Sequence, residues 1–172
     1  MNMNRMSSIE LALANEKIEV EFYEKEAARS RNRVARALFE TLAGDEQEHI
    51  ARIARLHREL TGAGSWPTDV PIEVKGTEVR KVLAGIARDK GSVADHDEND
   101  IAALKRAAGF EDKGASLYLE LAKGSDNPME ARFFKFLAGI EREHFMSIKD
   151  SLLYLEDPQA WHEAREHSTL DG

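Results

Sequence analysis

Residues 42–49 read LAGDEQEH, and the same motif returns 95 residues later, where residues 137–144 read LAGIEREH. The two halves of the chain stay in register upstream of these motifs, with Glu16 matching Glu111. Between residues 16 and 49, twelve of 34 positions are identical to those 95 residues further on, whereas typical residue frequencies would give about two. The chain is therefore an internal repeat of two similar halves.

Each half is predicted to be a helical hairpin. Apolar residues recur at helical spacing, and Asn32 and Asn127, at equivalent positions, can each cap the second helix of a hairpin. The joints are short, so the two helices of each hairpin should lie antiparallel. We expect hairpin one at about residues 7–61, a crossover at about 62–96, hairpin two at about 97–156, and a tail at 157–172 with a short helix.

Two helical hairpins joined by one long crossover is the connectivity of ferritin-like four-helix bundles. The fold class predicted from the sequence is therefore an all-α, ferritin-like bundle with a short C-terminal helix. At 172 residues, the chain has the length of a single domain with its own hydrophobic core.

The repeated motif carries the ligands of a metal site. Residues three positions apart on a helix project from the same face, so each Glu-x-x-His presents a carboxylate and an imidazole together. Each first helix adds one carboxylate. Di-iron and di-manganese bundles have this ligand pattern: two of their helices each supply one Glu, and the other two each supply a Glu-x-x-His motif. The predicted ligands are Glu16, Glu46, His49, Glu111, Glu141 and His144.

Charge and spacing support this site. Ionised groups in a core cost several kcal/mol unless they are paired, and two divalent ions would neutralise four carboxylates. Tyr23 and Tyr118 each follow a predicted glutamate ligand by seven residues, on the same helical stripe. Their hydroxyl groups could orient a ligand, or they could be core aromatics bonded elsewhere. Carboxylate and imidazole suit two iron ions, with manganese or zinc as alternatives.

These residues resemble the rubrerythrin-like branch of the ferritin-like superfamily. Its pattern of Ala, Glu, and Phe-Tyr two turns later is similar to Ala12, Glu16 and Phe22-Tyr23, and its Phe-x-x-Leu-Ala-x-x-Glu-x-x-His is similar to residues 39–49 and 134–144. The resemblance implies a non-haem di-iron centre. Rubrerythrins use this centre to reduce peroxide, and ferritin relatives oxidise iron(II) for storage.

The sequence departs from the family pattern in two ways. It contains no cysteine, so a rubredoxin iron centre is missing and reduction would need an external electron donor. The extra glutamate that rubrerythrins carry one turn after the helix-three ligand is Gly114 here. The equivalent residue on helix one is Glu19. Glu19 could be a seventh carboxylate ligand, but we expect it to be exposed at the surface.

The leading functional hypothesis is a redox enzyme that reduces peroxide or oxygen at two irons. The alternatives are a ferroxidase or iron-handling protein, and an interaction module with a structural metal site. The net charge of −8 argues against nucleic acid as a partner. Without a signal-peptide core or a membrane-length apolar run, we expect a cytoplasmic protein with no membrane partner. We also expect a homodimer.

Overall fold

Six α-helices form the part of the chain that this computed structural model describes, which is residues 5–67, 77–88 and 98–170, and no strand occurs in it. The fold is therefore all-α, as the sequence predicts. The helices are α1 (Arg5–Arg29), α2 (Arg33–Ala63), α3 (Val79–Arg88), α4 (Glu98–Gly124), α5 (Pro128–Glu156) and α6 (Pro158–Leu170).

The ends of the helices follow local chemistry. The side-chain oxygens of Asn32 and Asn127 accept hydrogen bonds from the backbone N–H groups two and three residues further on, at 2.9–3.2 Å. They thereby satisfy N–H groups that a helix start leaves without a partner. Gly64 ends α2 in the left-handed conformation, with φ 67°, and its N–H donates to the Leu60 carbonyl.

Some boundaries differ by one or two residues from the sequence prediction. Helix α1 begins at Arg5 instead of near residue 7, and α2 continues to Ala63 instead of residue 61. The crossover contains α3. Residues 68–76 and 89–97 lie outside the described part of the chain.

The packing gives the predicted bundle. Helix α1 packs along α2 and α4 along α5, while α1 also contacts α4. Helix α3 lies against α2 and α5, and α6 packs on α5. Two helical hairpins with a crossover helix and a short C-terminal helix are thus the observed architecture.

Two separate apolar clusters form the core. One contains Tyr23, Phe39 and the buried residues of α3, and the other contains Tyr118, Phe134 and Trp66. In each cluster a tyrosine stacks on the phenylalanine of its own hairpin, with ring centroids 6.3 Å apart. The internal repeat in the sequence is therefore also a repeat in the packing of the core.

No helix among the described residues is long and apolar enough to span a membrane.

Candidate metal centre

The six residues predicted as ligands come together inside the bundle. Helices α1 and α4 each provide one glutamate, and α2 and α5 each provide a glutamate and a histidine one turn apart. Each of the six is at most 1% exposed. The residues that the structure brings together are Glu16, Glu46, His49, Glu111, Glu141 and His144.

The six residues form two overlapping groups of potential ligands. One group contains Glu16, Glu46, His49 and Glu141, with one ligand atom from each lying within 4.8 Å of the others. The second group meets the same criterion and contains Glu46, Glu111, Glu141 and His144. Glu46 and Glu141 belong to both groups, so each can contribute to two neighbouring cation positions.

Both histidines turn Nδ1 toward the carboxylates. His49 Nδ1 lies 2.7 Å from Glu46 Oε2 and 3.2 Å from Glu16 Oε2. His144 Nδ1 lies 2.8 Å from Glu46 Oε1 and 3.4 Å from Glu111 Oε2. The two imidazole rings are nearly parallel, with centroids 5.5 Å apart. Nδ1 is therefore the nitrogen that each histidine presents to the centre of the cluster.

Several buried polar atoms of the cluster lack an aligned hydrogen-bond partner among the described residues. Those that face the cluster include Glu46 Oε1, Glu111 Oε2, both oxygens of Glu141 and His144 Nδ1. Such atoms are costly to bury unless they bind something. Metal–ligand bonds of about 2.0–2.2 Å bring the atoms around one ion to about 3 Å from each other, close to the separations above. The residues therefore fit a metal site.

Protons and metal ions compete for these ligands. Burial, reinforced by the Glu46 carboxylate, raises the pKa of Glu16 from 4.5 to about 8. Burial also raises the pKa of Glu141 well above its usual value, with a smaller contribution from Glu111. Burial disfavours a charged His49, but Glu46 and Glu16 outweigh it and raise the pKa of His49 to about 10. Metal binding must therefore displace protons.

The two tyrosine hydroxyl groups bond to glutamates of the opposite hairpin. The Tyr23 hydroxyl donates to Glu111 Oε1, and the Tyr118 hydroxyl donates to Glu16 Oε1. Burial raises the pKa of each phenol well above its usual value, so each remains a donor. The sequence places each tyrosine on the helix of one glutamate, whereas the bundle directs its hydroxyl to the glutamate of the facing helix.

The expected exposure of Glu19 is wrong. This side chain is 1% exposed, because it lies on the face of α1 that approaches α4. Asn15, one turn earlier on α1, has its amide nitrogen 3.4 Å from the place that a Cβ atom of Gly114 would take. The Asn15 amide donates to Glu19 Oε1 at 3.0 Å, while Glu19 Oε2 has no hydrogen-bond partner among the described residues. Burial raises the pKa of Glu19 well above its usual value. Glu19 lies outside both four-residue groups, so it is a further buried carboxyl group beside them.

Asp45 is a residue near the site that the ligand pattern did not reveal. Its Oδ2 lies 3.3 Å from His144 Nε2, on the side of the ring that faces away from the cluster. The Thr77 hydroxyl donates to the same oxygen at 2.7 Å. The sequence does contain one signal that singles out Asp45. The equivalent residue in the second half of the repeat is Ile140, so the two halves differ at this position.

The arrangement of these side chains agrees with a comparison against known families. A family model described as rubrerythrin matches residues 6–87. Over these residues the chain is similar to rubrerythrin. The match covers the first hairpin and α3, which include Glu16, Glu46 and His49. The second hairpin lies outside the match, and its candidate ligands, Glu111, Glu141 and His144, follow from the internal repeat and the geometry above. No match was found among curated proteins or among solved structures.

Proposed function

We propose that this chain is a non-haem di-iron oxidoreductase of the rubrerythrin type, which reduces peroxide or oxygen. The observation that carries the proposal is the pair of four-residue groups that share Glu46 and Glu141. Two adjacent cation positions with shared carboxylates suit a reaction in which two electrons reach one oxidant. The rubrerythrin match over residues 6–87 supports the same chemistry.

The donor atoms are compatible with iron, the metal that we propose. All six ligands offer carboxylate oxygen or imidazole nitrogen, and the chain has no cysteine. This set suits iron, manganese or zinc and gives no preference for copper(I). When bound, two irons would supply the two electrons that reduce the oxidant.

The surrounding residues hold the ligands in place. The Tyr23 and Tyr118 hydroxyl groups each fix one oxygen of a glutamate across the bundle, which leaves the other oxygen to face the cluster. The apolar clusters on which the tyrosines pack keep bulk water away from these ligands. Water exclusion strengthens the attraction between carboxylates and cations.

The proposal includes an external electron donor. These 172 residues contain no cysteine, so they cannot form a rubredoxin-type iron centre of their own. Another protein or a small reductant would return electrons to the site after each turnover. The partners proposed here are thus a small oxidant and an external donor, without nucleic acid or membrane.

Stopped-flow absorbance tests this function. The iron-loaded, reduced protein is mixed with hydrogen peroxide or with oxygen, and we expect faster oxidation by peroxide. The Glu111→Ala variant removes one ligand and should lose the response. Glu120→Ala is a matched control, because Glu120 lies on the same helix with 70% of its side chain exposed.

The alternatives give different results. Equal reactivity with both oxidants, or no reactivity with peroxide, contradicts the proposal. Repeated iron(II) oxidation with growth of a mineral would indicate a ferroxidase or iron-handling protein. Elemental analysis of protein isolated from its native cells, without overexpression, tests the third alternative. Zinc in that protein would indicate a structural metal site.

A further inference from the structure

The two histidines of the site differ at the ring nitrogen that faces away from the cluster. His144 Nε2 lies 3.3 Å from Asp45 Oδ2, an ion-pair distance without an aligned hydrogen bond in the metal-free chain. Within the described part of the chain, no carboxylate lies within 4.0 Å of His49 Nε2. The two halves of the site are therefore equivalent in their ligands and unequal in what supports those ligands.

The Asp45 carboxylate is itself held in place. Thr77 Oγ1 donates to Asp45 Oδ2 at 2.7 Å, and the same hydroxyl oxygen accepts a hydrogen bond from the Val79 N–H at 3.2 Å. Val79 begins α3, whose buried residues pack in the core. Asp45 is thus tied to the crossover helix, an element that has no counterpart in the other hairpin among the described residues.

The repeat breaks at this position. Asp45 directly precedes Glu46, whereas Ile140, its equivalent, directly precedes Glu141. Ile140 is 5% exposed and belongs to an apolar cluster. A hydrocarbon side chain cannot accept a hydrogen bond from an imidazole, so the second hairpin offers no matching support at this position.

We propose that Asp45 is a positioning residue that makes the half of the metal site built on His144 bind its ion more tightly than the half built on His49. This inference rests on the metal site of the proposed function. A carboxylate that accepts the outer N–H of an imidazole fixes the ring with its other nitrogen facing the ion, and it makes that nitrogen a stronger donor. Loss of such a partner typically costs 10- to 100-fold in metal affinity.

Calorimetric titration of the metal-stripped protein with Mn²⁺ tests the inference. We expect two binding events whose affinities differ by about 10-fold or more. The tighter event should disappear in the His144→Ala variant. In Asp45→Ala, the tighter affinity should fall by about 10-fold or more, while the weaker one changes little.

Matched variants separate positioning from general effects. Thr77→Val should reproduce part of the loss, and Thr77→Ser, which keeps the hydroxyl group, should bind like the unchanged protein. Asp112→Ala removes a carboxylate that is 58% exposed and bonded to Arg142, and it should leave both affinities unchanged. Circular dichroism of each metal-stripped variant checks that the helices remain folded.

The outcomes distinguish this inference from the proposed function. Two equal affinities in the unchanged protein, or an equal loss at both positions in Asp45→Ala, would overturn the inference and leave the metal site intact. No uptake of Mn²⁺ by the unchanged protein would overturn the metal site and the inference together.

Discussion

At position 114 the chain has a glycine where its repeat partner, Glu19, has a carboxyl group. A Cβ atom at Gly114 would lie 2.7 Å from Glu141 Oε2 and 3.3 Å from Glu141 Cδ. The first distance is shorter than a normal contact. Gly114 therefore makes room for the Glu141 carboxylate, which belongs to both four-residue groups.

Substitution of Gly114 tests the role of this space. In Gly114→Ala the Glu141 carboxylate must move, and because it is the end of a flexible side chain, the fold can accommodate the change. We expect metal affinity to fall about 10-fold or more at both positions. Calorimetric titration with Mn²⁺ and thermal unfolding of the metal-stripped variant measure the two effects.

Gly109→Ala is the control for that substitution. Gly109 also lies on α4, and a Cβ atom there would contact nothing within 4 Å. Alanine should raise helix stability by up to about 1 kcal/mol and leave metal binding unchanged. Unaltered metal affinity in Gly114→Ala would show that Glu141 does not need this space.

At the scale of the elements, the second helix of each hairpin starts at an asparagine cap. Asn32 and Asn127 occupy equivalent positions. The side chain of each accepts hydrogen bonds from two backbone N–H groups. These caps fix where α2 and α5 begin. They therefore also fix the position of each Glu-x-x-His along the bundle.

Removal of either cap should destabilise the protein without removing a ligand. We expect Asn32→Ala and Asn127→Ala each to lower the free energy of unfolding by about 1 kcal/mol. Urea denaturation followed by circular dichroism measures this loss. Serine at either position keeps a side-chain acceptor, so Asn32→Ser and Asn127→Ser should retain most of the stability. Equal losses in the alanine and serine variants would argue against the capping bonds.

For the whole molecule, the buried site links stability to pH. In the metal-free protein the pKa of Glu16 rises from 4.5 to about 8, and the pKa of His49 rises from 6.5 to about 10. A group with a higher pKa in the folded state adds stability below its unfolded-state pKa and loses that contribution as pH rises through its folded-state pKa. The metal-free protein should therefore become less stable from about pH 5 to about pH 10.

Bound metal should reverse this dependence. Metal ions take the place of the protons, so the ligands bind more strongly when fewer protons compete. We expect the increase in melting temperature on addition of Mn²⁺ to be larger at about pH 8.5 than at about pH 5.5. Differential scanning calorimetry measures this difference, and an increase that does not vary with pH would contradict the proton exchange.

The homodimer stays a prediction for the assembled molecule. Leu11 and Ile18 lie two turns apart on α1 and are 44% and 57% exposed. Apolar side chains at this spacing form a stripe that a second copy could cover.

The sequence by itself determined the helical hairpins, the two asparagine caps and the choice of six candidate ligands. These features depend on local spacing. A helix places residues three apart on one face whatever surrounds it, and the repeat at 95 residues marked which faces match.

The tertiary structure alone decided which atoms meet across the bundle. It directed Tyr23 to Glu111, buried Glu19, and brought Asp45 and Thr77 to the outer side of His144. These contacts join residues that lie far apart in the chain, and the rotation and spacing of packed helices set them. Periodicity along one helix does not fix that rotation, so the unequal support of the two histidines emerged only once the helices were packed.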